Sequence, residues 1–341
     1  GIGGGVLLLV VIAALAFKPD PVSEPSGEQV ASISEGPPNV NSPSVVQLGA
    51  VVAPAASGKL TTKAPPPAVA TFDEAQAKAH QKAWADYLGE PVETTISIGM
   101  QLAVIPPGEF MMGDDPNKVA VTLTKPFRLG IHEVTQGQWK AVMGTEPWKG
   151  QTKIQEGEDV PASCLSWIDA TEFCSRLTER ARADERLSAG EAYRLPTEAE
   201  WESACRAGTI TRYSFGNDAA QLGQYAWYEA NSQSVGEAYA HGVGLKKPNP
   251  WGLYDMHGNL WEWCFDTNSK TLTGGRDPVA DSTVVNADRV HRGGSWIQDA
   301  ENCRSTMREG RNSQWSPYNF GCRVAMTIDT AKLPTAKAPP A

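Results

Sequence analysis

The amino-acid sequence predicts a mixed α+β fold that is rich in loops and has few regular strands and helices. Helix starts are marked by pairs of residues with capping-box spacing: Thr135 with Gln138, Ser166 with Asp169, and Thr197 with Glu200. Apolar residues alternate over 119–123 and over 127–131, which indicates two half-buried strands. After Gly208, glycine, proline and tryptophan are frequent and show neither helical nor strand periodicity, which predicts long irregular segments.

Further signals define the remaining elements and the ends of the helices. A first helix is predicted to begin after Asp73, with Gln76 completing the cap, and to end at Gly89. The other three helices are expected to end near glycine residues: Gly144, Gly190 and Gly208. Two more short strands are predicted at 102–105 and 109–112, on either side of a Pro-Pro-Gly turn.

The composition changes along the chain and separates five regions. Residues 1–17 carry no charge and are almost all aliphatic or small, and their length is close to the minimum for a membrane-spanning helix. We interpret them as a transmembrane segment; the apolar part of a signal peptide is the alternative. Residues 18–70, rich in Pro, Ser and Ala, predict a disordered stalk, and 329–341 a tail of the same kind. Between these regions we expect a lead-in helix at 71–94 and one globular domain at 95–328.

Charge and motifs narrow the function classes. The formal net charge of −9 and the lack of a basic stripe argue against nucleic acid as a partner. Two carboxylates, Asp255 and Glu262, flank a predicted turn at Gly258–Asn259 within the tryptophan-rich stretch 246–266. Hard oxygen ligands of this kind suit calcium. The alternative is that Asp255 caps a turn while Glu262 binds backbone amides.

Four segments of the predicted domain stand in a fixed order: RLPTEAEWESACRAG at 194–208, NPWGLYDMHGNLWEW at 249–263, RGGSW at 292–296 and NFGCRVA at 319–325. Together they resemble the formylglycine-generating enzymes, also called sulfatase-modifying factors, and the resemblance extends over roughly residues 96–328. The type that the sequence resembles is the bacterial, membrane-anchored one. The resemblance implies an irregular α+β domain related to the C-type lectin-like fold.

The resemblance also implies a copper-dependent oxidase chemistry, which this sequence supports only in part. In family members that form formylglycine, two cysteines that follow the RGGS motif five residues apart bind Cu(I) as thiolates. Here the first position is Gln298, and only Cys303 matches the second. An amide does not replace a thiolate as a soft ligand, so we expect neither copper nor the usual oxidase activity. The alternative is an oxidoreductase, of the formylglycine-generating type or of altered chemistry, that uses Cys303.

The six cysteines all lie in the globular region, and none forms a C-x-x-C motif. An even number of cysteines beyond a membrane anchor is typical of an oxidising compartment, so we expect the domain to be extracytoplasmic. The residues alone leave the disulfide pairing open. The resemblance implies three disulfides: Cys174–Cys322, Cys205–Cys303 and Cys164–Cys264.

For metal binding, the resemblance implies that one calcium ion is held by the side chains of Asp255 and Glu262 and the carbonyl groups of Gly258 and Leu260. A second calcium site near Asn231 is a weaker match, because the segment that follows departs from the family pattern.

For ligand binding, we expect a peptide or protein, a sulfatase-like chain among the candidates. Four residues are predicted to contact it: Arg292, Ser295, Trp296 and Arg304. The alternative for the two arginines is that they form salt bridges within a loop-rich fold. The sequence as a whole therefore predicts a membrane-tethered, calcium-stabilised recognition or scaffold module. Because bacterial relatives of this type are often joined to a Ser/Thr kinase through one transmembrane helix, a kinase module preceding the sequence is a further hypothesis.

Overall fold

The computed structural model describes residues 63–184, 186–280 and 286–329. The predicted transmembrane segment at 1–17, the stalk as far as residue 62 and the tail from residue 330 lie outside the described residues. Within the described residues, no helix is both long enough and apolar enough to cross a membrane. The described part is an α+β domain of short elements joined by long loops, which confirms the predicted fold class.

Four α-helices form at the four predicted capping boxes: α1 (Glu74–Leu88), α2 (Gln136–Met143), α3 (Trp167–Ala183) and α4 (Glu198–Arg206). At each start, the cap side chain accepts the N3 backbone N–H, and the N3 side chain accepts the cap N–H in return. Left-handed residues end α1, α2 and α4 where glycine predicted it.

The predicted end of α3 near Gly190 is wrong. The helix ends at Ala183, because the N–H groups of Asp184 and Arg186 bind the carbonyl groups of Arg180 and Ala181 and close the last turn. The chain then reverses toward a short strand that packs against α3.

Within the described ranges, thirteen short strands form three sheets. In chain order they are β1 (Ala68–Val69), β2 (Glu93–Thr95), β3 (Gln101–Ile105), β4 (Gly108–Met112), β5 (Val119–Leu123), β6 (Phe127–Gly130), β7 (Ala192–Arg194), β8 (Trp261–Thr267), β9 (Gly275–Arg276), β10 (Asp288–Arg292), β11 (Arg308–Asn312), β12 (Phe320–Gly321) and β13 (Ala325–Thr327). The sheet orders are β1-β4-β5-β9, β2-β3-β6-β13-β7 and β11-β10-β8-β12. The predicted strands around the Pro-Pro-Gly turn therefore exist, but the turn carries the chain from one sheet to another.

The five-stranded sheet is covered on both faces. Along β3, Leu102 packs into the cluster that contains α3 residues, whereas Ala103 and Ile105 pack into the cluster that contains α4 residues. The strand β6 lies in the middle of this sheet, and all four of its residues are buried. The prediction of a half-buried strand at 127–131 was therefore wrong, and Arg128 is accommodated there by an ion pair with Glu90.

Order begins earlier than the composition predicted. The short strand β1 pairs in parallel with β4, and the N–H of Ala68 binds the carbonyl of Pro107 at 2.7 Å. The indole N–H of Trp84 binds the carbonyl of Pro66 at 3.2 Å. The predicted stalk is thus wrong for its last residues, because backbone pairing with a formed sheet supplies hydrogen bonds that their side chains do not.

A buried ion network fastens α4 to β10 and β11. The guanidinium of Arg292, which has no exposed surface, donates to Glu198 at 3.0 Å and to Glu202 at 2.8 Å, both on α4. Arg308 donates to Glu198 at 2.5 Å and 3.0 Å, and Arg206 donates to Glu202 at 2.8 Å. Two buried carboxylates are therefore satisfied by three arginines.

Replacing Arg292 is expected to leave Glu198 and Glu202 buried with one guanidinium each. We predict that Arg292→Leu lowers the free energy of unfolding by about 3–5 kcal/mol. Both glutamates lose one of their two guanidinium partners while they stay buried and desolvated. Urea denaturation of the full chain measures this change. The control Arg176→Ala removes an exposed pair with Glu172 and should cost about 0.5 kcal/mol or less. Equal effects of the two changes would contradict the prediction.

Candidate functional site

The Cys303 thiol lies inside the domain, at the end of a single 3-10 turn, Glu301–Cys303. It has no exposed surface, and it lies against the backbone of Gly294 and accepts the N–H of Ser295. A Cβ atom added to Gly294 would lie 2.7 Å from the Cys303 Sγ atom, so the glycine leaves just enough room for the sulfur. Burial raises the pKa of the Cys303 thiol, which is therefore protonated at neutral pH.

The position that would hold the partner cysteine is part of a turn with no second sulfur. The Gln298 N–H binds the carbonyl of Ser295 at 2.9 Å, and the Gln298 carbonyl accepts the N–H of Glu229 at 2.8 Å. The backbone of Gln298 thus fastens this turn to the loop after residue 225. Its side chain is half-buried and carries only an amide.

A buried imidazole, which the sequence analysis did not single out, links the Cys303 turn to two other segments. The His257 Nδ1 atom lies 2.9 Å from the Cys303 carbonyl, and Nε2 accepts the N–H of Ser214 at 3.1 Å. The proton is therefore on Nδ1, which donates to Cys303. Burial lowers the pKa of His257 to about 4, so the ring is neutral at neutral pH. Cys205 Sγ lies 3.8 Å from Nε2.

The predicted calcium ligands are brought together, but their carboxylates differ in availability. The Asp255 side chain is buried; Oδ2 accepts the N–H of Gly244 at 2.9 Å, and Oδ1 has no hydrogen-bond partner. The Glu262 carboxylate accepts the Arg323 guanidinium at 2.7 Å and the Trp201 indole N–H at 2.7 Å. The orphaned Asp255 oxygen fits a bound cation, whereas Glu262 already has a cationic partner.

A third carboxylate, missed by the sequence analysis, adjoins this pair. Glu133 is buried, and its two oxygens accept the N–H of Leu260 at 2.9 Å and the side-chain amide of Asn259 at 2.7 Å. Burial, together with the charges of Asp255 and Glu262, raises the pKa of Glu133 well above its usual range. Three carboxyl groups therefore share one guanidinium, and their mutual repulsion favours a proton on Glu133.

Negative charge on Asp255 is itself disfavoured, because burial raises the pKa of this carboxyl to about 6. Its backbone is left-handed, with φ of 62°, a conformation that Asp and Asn tolerate better than other non-glycine residues. The carboxylate is thus held in a strained turn with one oxygen unused. This arrangement is the observation that favours a cation at Asp255.

The predicted second calcium site near Asn231 lacks a free ligand in the structure. The Asn231 side chain accepts the N–H of Tyr228 at 2.9 Å and donates to the carbonyl of Ala226 at 2.9 Å. Over the described ranges, no group of three or more His, Cys, Asp or Glu side chains is arranged to hold a metal ion. The Asn231 amide therefore stabilises its own turn.

Of the four residues predicted to bind a ligand, three are buried. Arg292 belongs to the ion network described above, and the Ser295 hydroxyl accepts the side-chain amide of Asn319 at 3.2 Å. Trp296 packs in a small apolar cluster. The alternative interpretation, salt bridges that support the fold, describes Arg292 correctly. Only Arg304 reaches the surface, with 23% of its side chain exposed.

Arg304 stands beside a cavity at the surface of the domain. Its guanidinium donates to Asp114 at 2.9 Å, and Thr306 donates to the same carboxylate at 2.6 Å. Asp114 and Thr306 line an open polar cavity of about 520 Å³, which Lys118 and Lys270 border as well. The surface next to the Cys303 turn is therefore charged with both signs.

The comparisons with known proteins agree with this geometry. The family model of the sulfatase-modifying factor enzyme 1-like domain matches residues 90–328. The chain belongs to this family. The match covers the whole described domain except its first segment, and it includes every candidate site residue named above.

The relatives of this sulfatase-modifying factor domain carry different names. The chaperone protein LppX of Paenibacillus barcinonensis is 30% identical over 52% of the chain and 71% of that protein. The formylglycine-generating enzyme of Streptomyces coelicolor is 33% identical over 56% of the chain and 61% of the enzyme. The inactive C-alpha-formylglycine-generating enzyme 2 of Bos taurus is 31% identical over 50% of the chain and 52% of that protein. The chain thus spans less than two thirds of the last two proteins.

A solved structure supports the fold. Treponema denticola variable protein 1 is 29% identical, with a TM-score of 0.60, over 70% of this chain and 100% of that protein. The sulfatase-modifying factor fold predicted from the motifs is therefore confirmed.

The three predicted disulfides are absent, and all six cysteines of the domain are free thiols. Cys264 and Trp263 point to opposite faces of β8, and the Trp263 indole binds the carbonyl of Leu165, next to Cys164. Cys164 and Cys264 therefore pack in different core clusters.

The other two predicted pairs are also separate thiols. The Cys205 thiol donates to the Met256 carbonyl at 3.6 Å, whereas the Cys303 thiol lies against Gly294, so each sulfur has its own surroundings. Cys174 and Cys322 share one apolar cluster and are close enough for charge on one to raise the pKa of the other. Even this pair is unbonded.

We predict that N-ethylmaleimide labels only Cys164 in the native full chain, because this thiol alone is partly exposed. All six cysteines should react after unfolding in urea without a reductant. Mass spectrometry of the labelled peptides measures both patterns. Recovery of fewer than six labelled cysteines from the unfolded, unreduced chain would show that disulfides form.

Proposed function

We propose that this sulfatase-modifying factor domain acts as a calcium-stabilised recognition or scaffold module that does not carry out the copper oxidase reaction of its family. The environment of Cys303 is the observation that carries this proposal. A two-coordinate Cu(I) site needs two thiolates, and here one position is a glutamine and the other is a buried, protonated thiol.

The surroundings of Cys303 make a thiolate costly to form. Only one backbone N–H, that of Ser295, stabilises charge on the sulfur, and burial opposes it. The Cys205 thiol, which lies beside His257 as well, donates its proton to the Met256 carbonyl. A metal ion would have to open the turn at Glu301–Cys303, which the buried His257 fastens to the loop of Ser214.

The names of the relatives are compatible with this proposal and do not decide it. One relative is named an inactive formylglycine-generating enzyme and another a chaperone, whereas a third is named a formylglycine-generating enzyme. The name of the Bos taurus relative thus describes an inactive protein that is similar to this chain. The alternative, an oxidoreductase that uses Cys303, has the active relatives in its favour.

The proposed ligand is a peptide or protein, a sulfatase-like chain among the candidates. The polar cavity beside Arg304 supports this part of the proposal, because two lysines, two aspartates and Arg308 line it and Arg304 pairs with one of those aspartates. Rim charges of this kind favour recognition of a polar chain segment. In the same proposal, the apolar residues 1–17 tether the domain to a membrane and the domain lies on its extracytoplasmic side.

Calcium is proposed to bind where Asp255 has an unused, buried oxygen. The Asp255 side chain and the carbonyl groups of Gly258 and Leu260 would hold the ion, and Glu262 would contribute if it shares its carboxylate with Arg323. A cation there would stabilise the charged form of Asp255, which burial disfavours.

The oxidase prediction is tested with the full chain, Cu(I), oxygen and a peptide that carries a sulfatase-type cysteine. We expect no more formylglycine peptide than the Cys303→Ser variant produces, because the wild-type chain lacks a second thiolate. Mass spectrometry of the peptide measures the product, and the Streptomyces coelicolor enzyme serves as the positive control. Turnover by the wild-type chain that is lost in Cys303→Ser would establish the oxidoreductase alternative instead.

The calcium prediction is tested by thermal unfolding with millimolar calcium against a chelator. We expect calcium to raise the Tm of the full chain, because ligand that binds only the folded state stabilises it. Asp255→Asn should reduce the shift strongly while keeping the left-handed turn, since Asn tolerates the same backbone. Calcium that shifts both proteins equally would rule out Asp255 as a ligand.

A matched control for this experiment is Asp266→Asn. Asp266 is also a buried aspartate, and its oxygens accept the backbone N–H groups of Glu198 and Ala280 at 2.7 Å and 2.8 Å. This variant should lose stability and keep the full calcium shift, which separates a lost ligand from a damaged fold.

A further inference from the structure

A cavity of about 320 Å³ lies between the end of β5, the start of β6 and the segment 277–280. It is here called the Val279 cavity, and it shares no lining residue with the polar cavity beside Arg304. Its volume is within the range of small-molecule sites, about 300–1,000 Å³. Its apolar lining consists of six side chains: Leu123, Pro126, Phe127, Phe265, Pro278 and Val279.

The wall that contains Val279 is held in place on both sides of this residue. Before it, Asp277 Oδ1 accepts the N–H of Thr124 at 2.6 Å, and after it, the N–H of Ala280 binds Asp266 Oδ1 at 2.8 Å. Val279 stays 45% exposed between these two hydrogen bonds. The cavity is therefore already formed without a ligand, which lowers the free-energy cost of binding one.

An ion pair within the cavity lining is fully engaged inside the protein. The Arg194 guanidinium donates to both oxygens of Glu200, at 2.6 Å and 2.7 Å, and its Nε–H donates to the Thr327 hydroxyl at 3.0 Å. The N–H of Thr197 also donates to Glu200, at 2.9 Å. These two opposite charges neutralise each other, so neither attracts a ligand strongly.

The polar groups that remain available in the Val279 cavity are donors. Lys125 is exposed and forms no ion pair with any residue that the structure describes. The hydroxyl groups of Thr197 and Thr327 each accept one hydrogen bond and donate none. In contrast, each carboxylate oxygen of Glu200 and Asp277 already accepts a hydrogen bond.

This imbalance decides between classes of ligand. A peptide segment brings backbone N–H groups that need acceptors, and the acceptor side chains of this cavity are already occupied. An organic acid with an apolar body brings acceptors only, and its negative charge complements the unpaired lysine. The apolar walls then take up the rest of the molecule.

We propose that the Val279 cavity binds a small organic acid with an apolar body. The body lies against Phe127, Phe265 and Val279, and the carboxylate pairs with the ammonium of Lys125. The site is independent of Cys303, of a bound calcium ion and of the polar cavity beside Arg304. It would give the domain a small-molecule ligand in addition to the proposed peptide or protein.

A pair of matched probes tests the proposal on the full chain. The acid probe is 3-phenylpropanoate, and its uncharged counterpart 3-phenylpropanamide has nearly the same shape. Saturation-transfer NMR of each probe during a titration measures its affinity. We expect the acid to bind about tenfold more tightly than the amide at neutral pH, because only the acid forms a charge-assisted hydrogen bond with Lys125.

Two variants test the lysine and the wall, each with a control of similar exposure. Lys125→Gln should weaken binding of the acid about tenfold and leave binding of the amide unchanged, whereas Lys78→Gln on an exposed part of α1 should change neither. Val279→Trp should abolish binding of both probes, because the indole fills the cavity. Val235→Trp, at a position that is 62% exposed elsewhere, should have no effect. The Tm of each variant shows whether the fold is intact.

Four results would overturn the proposal. The first is no saturable binding of the acid to the wild-type chain, and the second is equal affinity for acid and amide. The third is unchanged binding in a folded Val279→Trp variant, which would place the probes elsewhere, for example on the apolar residues 1–17. The fourth is an equal loss in Lys78→Gln and Lys125→Gln, which would indicate a general effect of surface charge.

Discussion

The structure depends on buried arginine–carboxylate pairs that connect segments far apart in the chain. Arg292 joins β10 to two glutamates of α4, and Arg323 joins the end of the chain to Glu262 and to backbone carbonyl groups of Gly130, Ile131 and Tyr254. In a domain whose strands are short and whose loops are long, few regular backbone ladders are available for this task. Buried pairs of opposite charge make these connections instead. Because their desolvation is costly, the loss of one partner would leave the other buried without a counter-charge.

These pairs also explain why the residues around Cys303 look like a catalytic site and offer so little chemistry. Arg292, Ser295 and Trp296 are buried and already engaged in packing and hydrogen bonds. The neutral ring of His257 donates a hydrogen bond to the carbonyl of Cys303 and so stabilises its turn. Near the Cys303 turn, Arg304 keeps part of its side chain accessible at a charged surface. The protonated, enclosed thiol fits a structural role.

The group of carboxyl side chains around Asp255 has the opposite character, because it is not fully paired. Glu133 binds the turn that carries Leu260, Glu262 pairs with Arg323, and Asp255 retains an oxygen with no partner. A buried polar atom without a partner is costly, and a cation is the simplest group that would satisfy it. The other oxygen of Asp255 accepts the N–H of Gly244, so the same carboxyl group also holds the loop that precedes it.

The sequence by itself determined the family, the fold class and all four helix starts, because capping pairs and turn residues act over three or four positions and need no tertiary context. It also located the Asp255–Glu262 turn and the missing thiol at Gln298. Only the tertiary structure decided that α3 ends at Ala183, that the six thiols stay apart and that Glu133 joins the carboxylate group. The end of α3 depends on the hydrogen bonds of Asp184 and Arg186 with the last turn. The other two outcomes depend on which face of an element a residue occupies and on contacts between residues about a hundred positions apart, and no local pattern encodes either.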